Sequence, residues 1–134
     1  MTELFVDTSF VVALVNRRDQ YHEQAVELSI AFESHPVITT DAILLEVGNA
    51  LARNFKAEAV VTIEGFLSSD EAKIVAVDAA LFRKGFDLYK SYQDKTWGLI
   101  DCISFVVMRE HGITDALTTD GHFEQAGFNV LLKS

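Results

Sequence analysis

The chain has 134 residues, 49% of them hydrophobic and 23% charged. That balance excludes a disordered tract and fits one domain, residues 1–134, around a single buried core. The formal net charge of −9 argues against a protein that grips nucleic acid through lysines and arginines alone, but not against one that meets phosphate through bound cations. Pro36 is the one proline and glycines number seven, too few for a sandwich of many short strands and turns. The lone Cys102 has no internal disulfide partner and sits in an apolar segment, so a reducing cytoplasm is the expected compartment. No apolar run approaches the roughly 20 residues of a membrane span, and Met1-Thr2-Glu3 lacks the basic start of a signal peptide.

In chain order, Leu4-Phe5-Val6 reads as a short strand buried on both faces, because its apolar residues do not alternate with polar ones. Asp7-Thr8-Ser9 are N-cap types and open a helix over Phe10 to Asn16. Arg17 to Gln20 form a polar turn. A second helix runs from Tyr21 to Glu33, with Ala25, Leu28 and Phe32 three and four apart, and Pro36 stops it. Val37-Ile38-Thr39 is the second strand. Thr40 or Asp41 caps a helix over Ala42 to Asn54, and a further helix spans Ala57 to Leu67. Ile74 to Val77 is the third strand. Asp78 caps a helix over Ala80 to Tyr92, and Gln93 to Gly98 form a loop. Leu99 to His111 is a helix that Gly112 ends as its C′ residue. Asp115 to Thr118 is the fourth strand, a helical turn follows at Phe123 to Ala126, and the last strand spans Asn129 to Leu132. Strands alternating with helices predict an α/β fold, a parallel sheet of four to five strands flanked by helices.

Four acids stand out in this frame: Asp7, Glu46, Asp101 and Asp120. Asp7 ends the first strand and Asp120 follows the fourth, where open α/β sheets bind ligands. Glu46 shares a helix stripe with Asn49 and Arg53, and Asp101 lies in the first turn of its helix. Each has a plainer role available. Asp7 is a helix cap, Asp101 a favourable charge at a helix start, Asp120 a turn former before Gly121, and Glu46 one residue of a solvated face. As a set they match another purpose, since Mg²⁺ and Mn²⁺ take oxygen ligands and two-metal phosphoryl chemistry is built on convergent carboxylates. Thr8, Ser9, Thr118 and Thr119 are placed to add hydroxyl ligands or orient waters. Without metal, four clustered acids cannot all ionise freely, so raised carboxylate pKa values are expected.

The same residues resemble the PIN domain family, metal-dependent ribonucleases of the kind found as VapC-type toxins. The matching pieces are Val6-Asp7-Thr8-Ser9, then Glu46, Asn49 and Arg53 as E-x-x-N-x-x-x-R, then Leu99-Ile100-Asp101-Cys102, then Ala116 to Phe123. Their order and spacing span the whole chain. The resemblance implies a three-layer α/β/α domain, Mg²⁺ or Mn²⁺ as cofactor, and cleavage of single-stranded or loop RNA leaving a 5′-phosphate. It makes Asp7, Glu46, Asp101 and Asp120 the catalytic and metal-binding quartet, with Thr8, Ser9, Asn49, Arg53, Asp94 and Thr118 as accessory residues. It also implies a small antitoxin partner and a homodimer.

On this resemblance Asp7 and Asp101 hold a metal, Glu46 orients or deprotonates the attacking water, and Asp120 completes the site. His122 and Trp97 are read as structural. Two alternatives stand beside the ribonuclease. A haloacid-dehalogenase-type phosphatase also uses an acid after its first strand, but it needs a second acid two residues on, where this chain has Ser9. A PIN-fold binding module without catalysis is the other.

Overall fold

The structure, a computed structural model, describes residues 2–133. Five strands, β1 (Leu4–Val6), β2 (Val37–Thr40), β3 (Ala72–Val75), β4 (Asp115–Leu117) and β5 (Asn129–Val130), form one sheet in the order β3-β2-β1-β4-β5. All four neighbouring pairs are parallel. Seven helices flank the sheet: α1 (Thr8–Val15), α2 (His22–Ala31), α3 (Asp41–Leu51), α4 (Lys56–Ser68), α5 (Ala79–Ser91), α6 (Leu99–Glu110) and α7 (His122–Gln125).

The strand order carries the functional geometry. From β1 the chain steps through β2 to β3 on one side, then crosses back to β4 on the other side of β1. Right-handed crossovers send the helices of these two excursions to opposite faces. Accordingly α1 to α4 pack among themselves, and α5 packs with α6 and α6 with α7. The reversal point lies between β1 and β4, so the crevice at their carboxyl ends is the expected ligand position. Asp7 N–H donates to Leu117 O at 3.1 Å and fixes the two strand ends to each other.

Leu4, Phe5 and Val6 are all buried, as a strand covered on both faces requires. On the α6 side, Phe105 meets Trp97, Phe123 and Phe128 with ring centroids 5.2, 5.0 and 5.7 Å apart. Two of these contacts are edge-to-face, the arrangement favoured by ring quadrupoles. The cluster ties α6, which carries Asp101, to the segment after β4, which carries Asp120. Thr40 caps α3 by accepting from Ile43 N–H at 3.1 Å, and Asp78 caps α5 by accepting from Leu81 N–H at 2.8 Å.

Several strand ends differ from the sequence expectation, and β2 runs on through Thr40. β3 starts at Ala72, not Ile74, because Val37 N–H already donates to Glu71 O at 2.8 Å. It stops at Val75 because Val77 N–H is taken by the Asp41 carboxylate at 2.9 Å. β4 ends at Leu117, since the next two residues turn their polar groups to the site, and β5 ends at Val130 instead of Leu132. Gly112 closes α6 at φ +66, a left-handed conformation that costs glycine little.

Candidate active site

Asp7, Thr8, Ser9, Val12, Asp19, Glu46, Asp101, Thr119 and Asp120 line one cleft of about 320 Å³. It opens at the carboxyl end of β1 beside β4, the crevice set by the strand order. All four sequence-predicted acids reach it. No lysine or arginine contributes to its lining among the described residues.

Asp7 is only 6% exposed. It occupies the N-cap position of α1, yet its side chain makes no capping bond. Its Oδ2 instead accepts from Thr118 Oγ at 2.7 Å and Ser9 Oγ at 3.0 Å. The cap explanation therefore fails for this residue. The two hydroxyls are themselves held, Thr118 Oγ by Asp120 N–H and Ser9 Oγ by Thr119 N–H, both at 3.0 Å. These bonds draw the chain out of the β4 ladder and lock the strand end onto Asp7. Burial is the main reason that the Asp7 carboxyl is pushed up from 3.8 to about 6. The Thr118 and Ser9 hydrogen bonds oppose the rise, and the Asp101 charge adds to it.

Glu46 reaches the cleft from the second turn of α3, and its Oε1 accepts from Thr8 Oγ at 2.7 Å. Asp101 sits in the first turn of α6. Its Oδ2 accepts from Gly98 N–H at 3.1 Å, so it does serve its helix start, as half of a capping box. Its carboxyl is also raised, chiefly by burial, with the Asp120 charge adding and the Gly98 and His122 contacts opposing. Asp120 Oδ1 accepts from His122 N–H at 2.9 Å, a local turn bond. For Asp101 and Asp120 the plainer structural roles thus coexist with a place in the cleft.

His122 is the residue that sequence reasoning undervalued. Its Nδ1 lies 3.1 Å from Asp101 Oδ2 and 3.3 Å from Asp120 Oδ1. The ligand-type atoms of Asp101, Asp120 and His122 all lie within 4.8 Å of one another. The available signal was the spacing Asp120-Gly121-His122, in which a tight turn folds the imidazole back onto the acid. Asp19, read as part of a polar turn, also lines the cleft. It accepts from Tyr21 N–H at 2.9 Å, and nothing in its local sequence sets it apart from an ordinary turn residue.

The accessory residues divide. Thr8, Ser9 and Thr118 are at the site, where their hydroxyls donate to Glu46 and Asp7 and so orient these carboxylates. Asn49, Arg53 and Asp94 do not line the cleft. The stripe shared with Glu46 continues down α3, but Asn49 and Arg53 are exposed beyond its reach. Asp94 is exposed and pairs with Lys95 at 3.4 Å. Trp97 is 6% exposed and donates to Gln125 Oε1 at 2.9 Å, so the loop-anchor role holds for it. Cys102 is fully buried and its thiol is pushed up to about 11, mainly by that burial, as befits an inert core residue.

The donor set fits a hard divalent cation. It is carboxylate-rich, and its deepest member, Asp7, is desolvated with hydroxyl partners and, among the described residues, no cationic side chain against it. A bound ion would supply the missing counter-charge.

Comparison with known proteins agrees with this geometry. The family model described as PIN domain matches residues 4–129. The chain is 33% identical over 127 residues to the 23S rRNA-specific endonuclease VapC20 of Mycobacterium tuberculosis, covering 93% of this chain and 95% of that protein. The crystal structure of the same organism's VapC20, described as a sarcin-ricin loop cleaving toxin, superposes with a TM-score of 0.84 at 31% identity, covering 94% of this chain and 96% of the other. VapBC2 from Rickettsia felis, solved with a DNA fragment from its promoter, gives a TM-score of 0.67 at 15% identity over 98% of both chains, which shows a shared fold. The chain belongs to the PIN domain family.

Proposed function

We propose that this chain is a metal-dependent endoribonuclease, the toxin of a VapBC-type toxin–antitoxin pair, working as one domain in the cytoplasm. The observation that carries it is the meeting of Asp7, Glu46, Asp101 and Asp120 in one cleft that, among the described residues, no lysine or arginine lines. The full-length likeness to a named ribosomal RNA endonuclease supplies the substrate class. Mg²⁺ is the ion proposed, with Mn²⁺ able to replace it, because both prefer oxygen ligands.

A bound ion would stabilise negative charge on the phosphoryl oxygens and ease ionisation of the attacking water. Asp7 and Asp101 would be its principal holders, and Asp120 would complete the set. Ser9 and Thr118 fix the Asp7 carboxylate, and His122 fixes Asp101 against Asp120. Glu46, steadied by Thr8, accepts the proton of the attacking water. The water oxygen bonds to phosphorus as the bond to the 3′ oxygen breaks, and solvent protonates that oxygen. The products are a 5′-phosphate and a 3′-hydroxyl, with no covalent enzyme intermediate.

Large apolar side chains at Leu45 and Val61 are 70% and 71% exposed. Such surfaces suit cover by an antitoxin or a second protomer, and no described helix is long and apolar enough to cross a membrane. The test is cleavage of a sarcin–ricin loop RNA by purified, antitoxin-free protein. Cutting with Mg²⁺ or Mn²⁺, lost in EDTA and in Asp7→Asn, is expected. Cutting that persists in both would overturn the proposal, as would hydrolysis of a small phosphomonoester with no RNA cleaved.

A further inference from the structure

A second cleft, of about 530 Å³, lies between the end of α5 and the loop leading into α6. Its volume is within the roughly 300–1,000 Å³ of small-ligand sites. Its lining is unlike that of the acidic cleft, with aromatic rings, two lysines and, among the described residues, no carboxylate. Tyr89 and Tyr92 are 44% and 42% exposed, so two rings that could have joined the core stand partly in water. Tyr92 rests on the buried Trp97 with centroids 4.9 Å apart, and the indole is locked by Gln125. Tyr92 is therefore a ring on a fixed platform. Lys90 Nζ sits 5.8 Å from the Phe86 centroid. Lys95 pairs with the exposed Asp94 at 3.4 Å, a contact of little net strength.

This cleft is joined to the acidic one by a short relay. Thr96 Oγ, in the aromatic cleft, is 3.1 Å from His122 Nε2, and the other ring nitrogen of His122 faces Asp101 and Asp120. A polymer whose phosphate lies at the acids is thus within reach of the aromatic lining through a neighbouring nucleotide. The chemistry matches such a neighbour. An unpaired base stacks on aromatic rings, and ammonium groups take its phosphate. In a chain of net charge −9, two lysines beside an acidic cleft give an RNA backbone a local foothold that the overall charge denies it.

Building on the ribonuclease proposal, we propose that this cleft is a nucleotide subsite. It stacks an unpaired base next to the scissile phosphate on Tyr92 and Tyr89 and holds that nucleotide's phosphate with Lys90 and Lys95. The enzyme thereby selects loops over duplexes, because a paired base in A-form RNA has no free face to offer.

The test uses the full chain in EDTA, where no cutting occurs, with a fluorescein-labelled oligoadenylate hexamer and a hexamer duplex as probes. Trp97 is the single tryptophan, so its fluorescence reports binding at this cleft while anisotropy gives affinity. The hexamer should perturb Trp97. Tyr92→Ala should weaken hexamer binding roughly 5- to 100-fold, the range seen for one stacked base. Tyr92→Phe should restore it to within about twofold, and the duplex should bind weakly in all three proteins. Unchanged hexamer affinity in Tyr92→Ala, or a silent Trp97, in a protein that still cuts RNA with Mg²⁺ would overturn the subsite and leave the nuclease intact. A wild-type chain that neither binds the hexamer nor cuts RNA would overturn both.

Discussion

Asp7 is a carboxylate almost removed from water and held by two hydroxyls. Raising its pKa from 3.8 to about 6 makes the metal-free fold pay about 3 kcal/mol for its ionisation. Below pH 4 both folded and unfolded chains carry the proton. Between about 4 and 6 the unfolded chain loses it and the folded chain keeps it, so stability falls as pH rises through this window and levels off above it. Asp101, also raised by burial, acts in the same direction. Urea unfolding in EDTA from pH 4 to 7 should show the decline, and Asp7→Asn should flatten most of it. Parallel pH profiles for the two proteins would contradict the burial argument.

At His122 the expectation is kinetic. Removing an outer partner of metal ligands costs roughly 10- to 100-fold in metal affinity or activity, so His122→Ala should cut RNA cleavage by that factor with little change in urea midpoint. An effect under twofold would return His122 to the structural role its sequence suggested. The acids were readable because each ends a strand or opens onto a helix face near one. His122 and Asp19 were not, because their value depends on which loops the fold brings together. Raised carboxyl pKa values were expected from mutual repulsion, yet for Asp7 and Asp101 burial is the larger cause. That distinction requires knowing depth.

Among elements, the hydrophobic runs and caps marked all five strands and the main helices. The strand ends shifted where side chains captured backbone groups. Asp41 takes Val77 N–H, and Ser9 and Thr118 take the amides after β4. The Asp41 and Ser9 bonds span 36 and 110 residues and leave no local trace. The contact of α5 with α6 is another case. A Cβ on Gly85 would lie 2.4 Å from Ile103 Cγ1 and 3.2 Å from Ile103 Cα, so the glycine lets the helices approach. Gly85→Ala gains about 1 kcal/mol of helix propensity but overpacks a site that includes backbone, at a typical cost of about 1–3 kcal/mol. We expect net destabilisation in urea, and reduced cleavage as well, because α6 carries Asp101. A stabilised variant would show that the two helices separate easily.

At the scale of the whole molecule, the fold gathers carboxylates at the point where the sheet order reverses, in a cleft that no lysine or arginine lines among the described residues. The net charge of −9, which first argued against nucleic acid, is compatible with a site that bound cations would complete. Binding to the folded state alone also stabilises it, by about 2.7 kcal/mol at a hundredfold excess over Kd. The most direct test is calorimetric titration of Mn²⁺ into the wild-type chain, Asp7→Asn and Asp94→Asn at pH 7. Saturable binding should be present in the wild type, kept in Asp94→Asn, whose residue lies outside the cleft, and lost or severely weakened in Asp7→Asn. Equal Mn²⁺ binding by wild type and Asp7→Asn would contradict a metal centre built on the acid that ends β1.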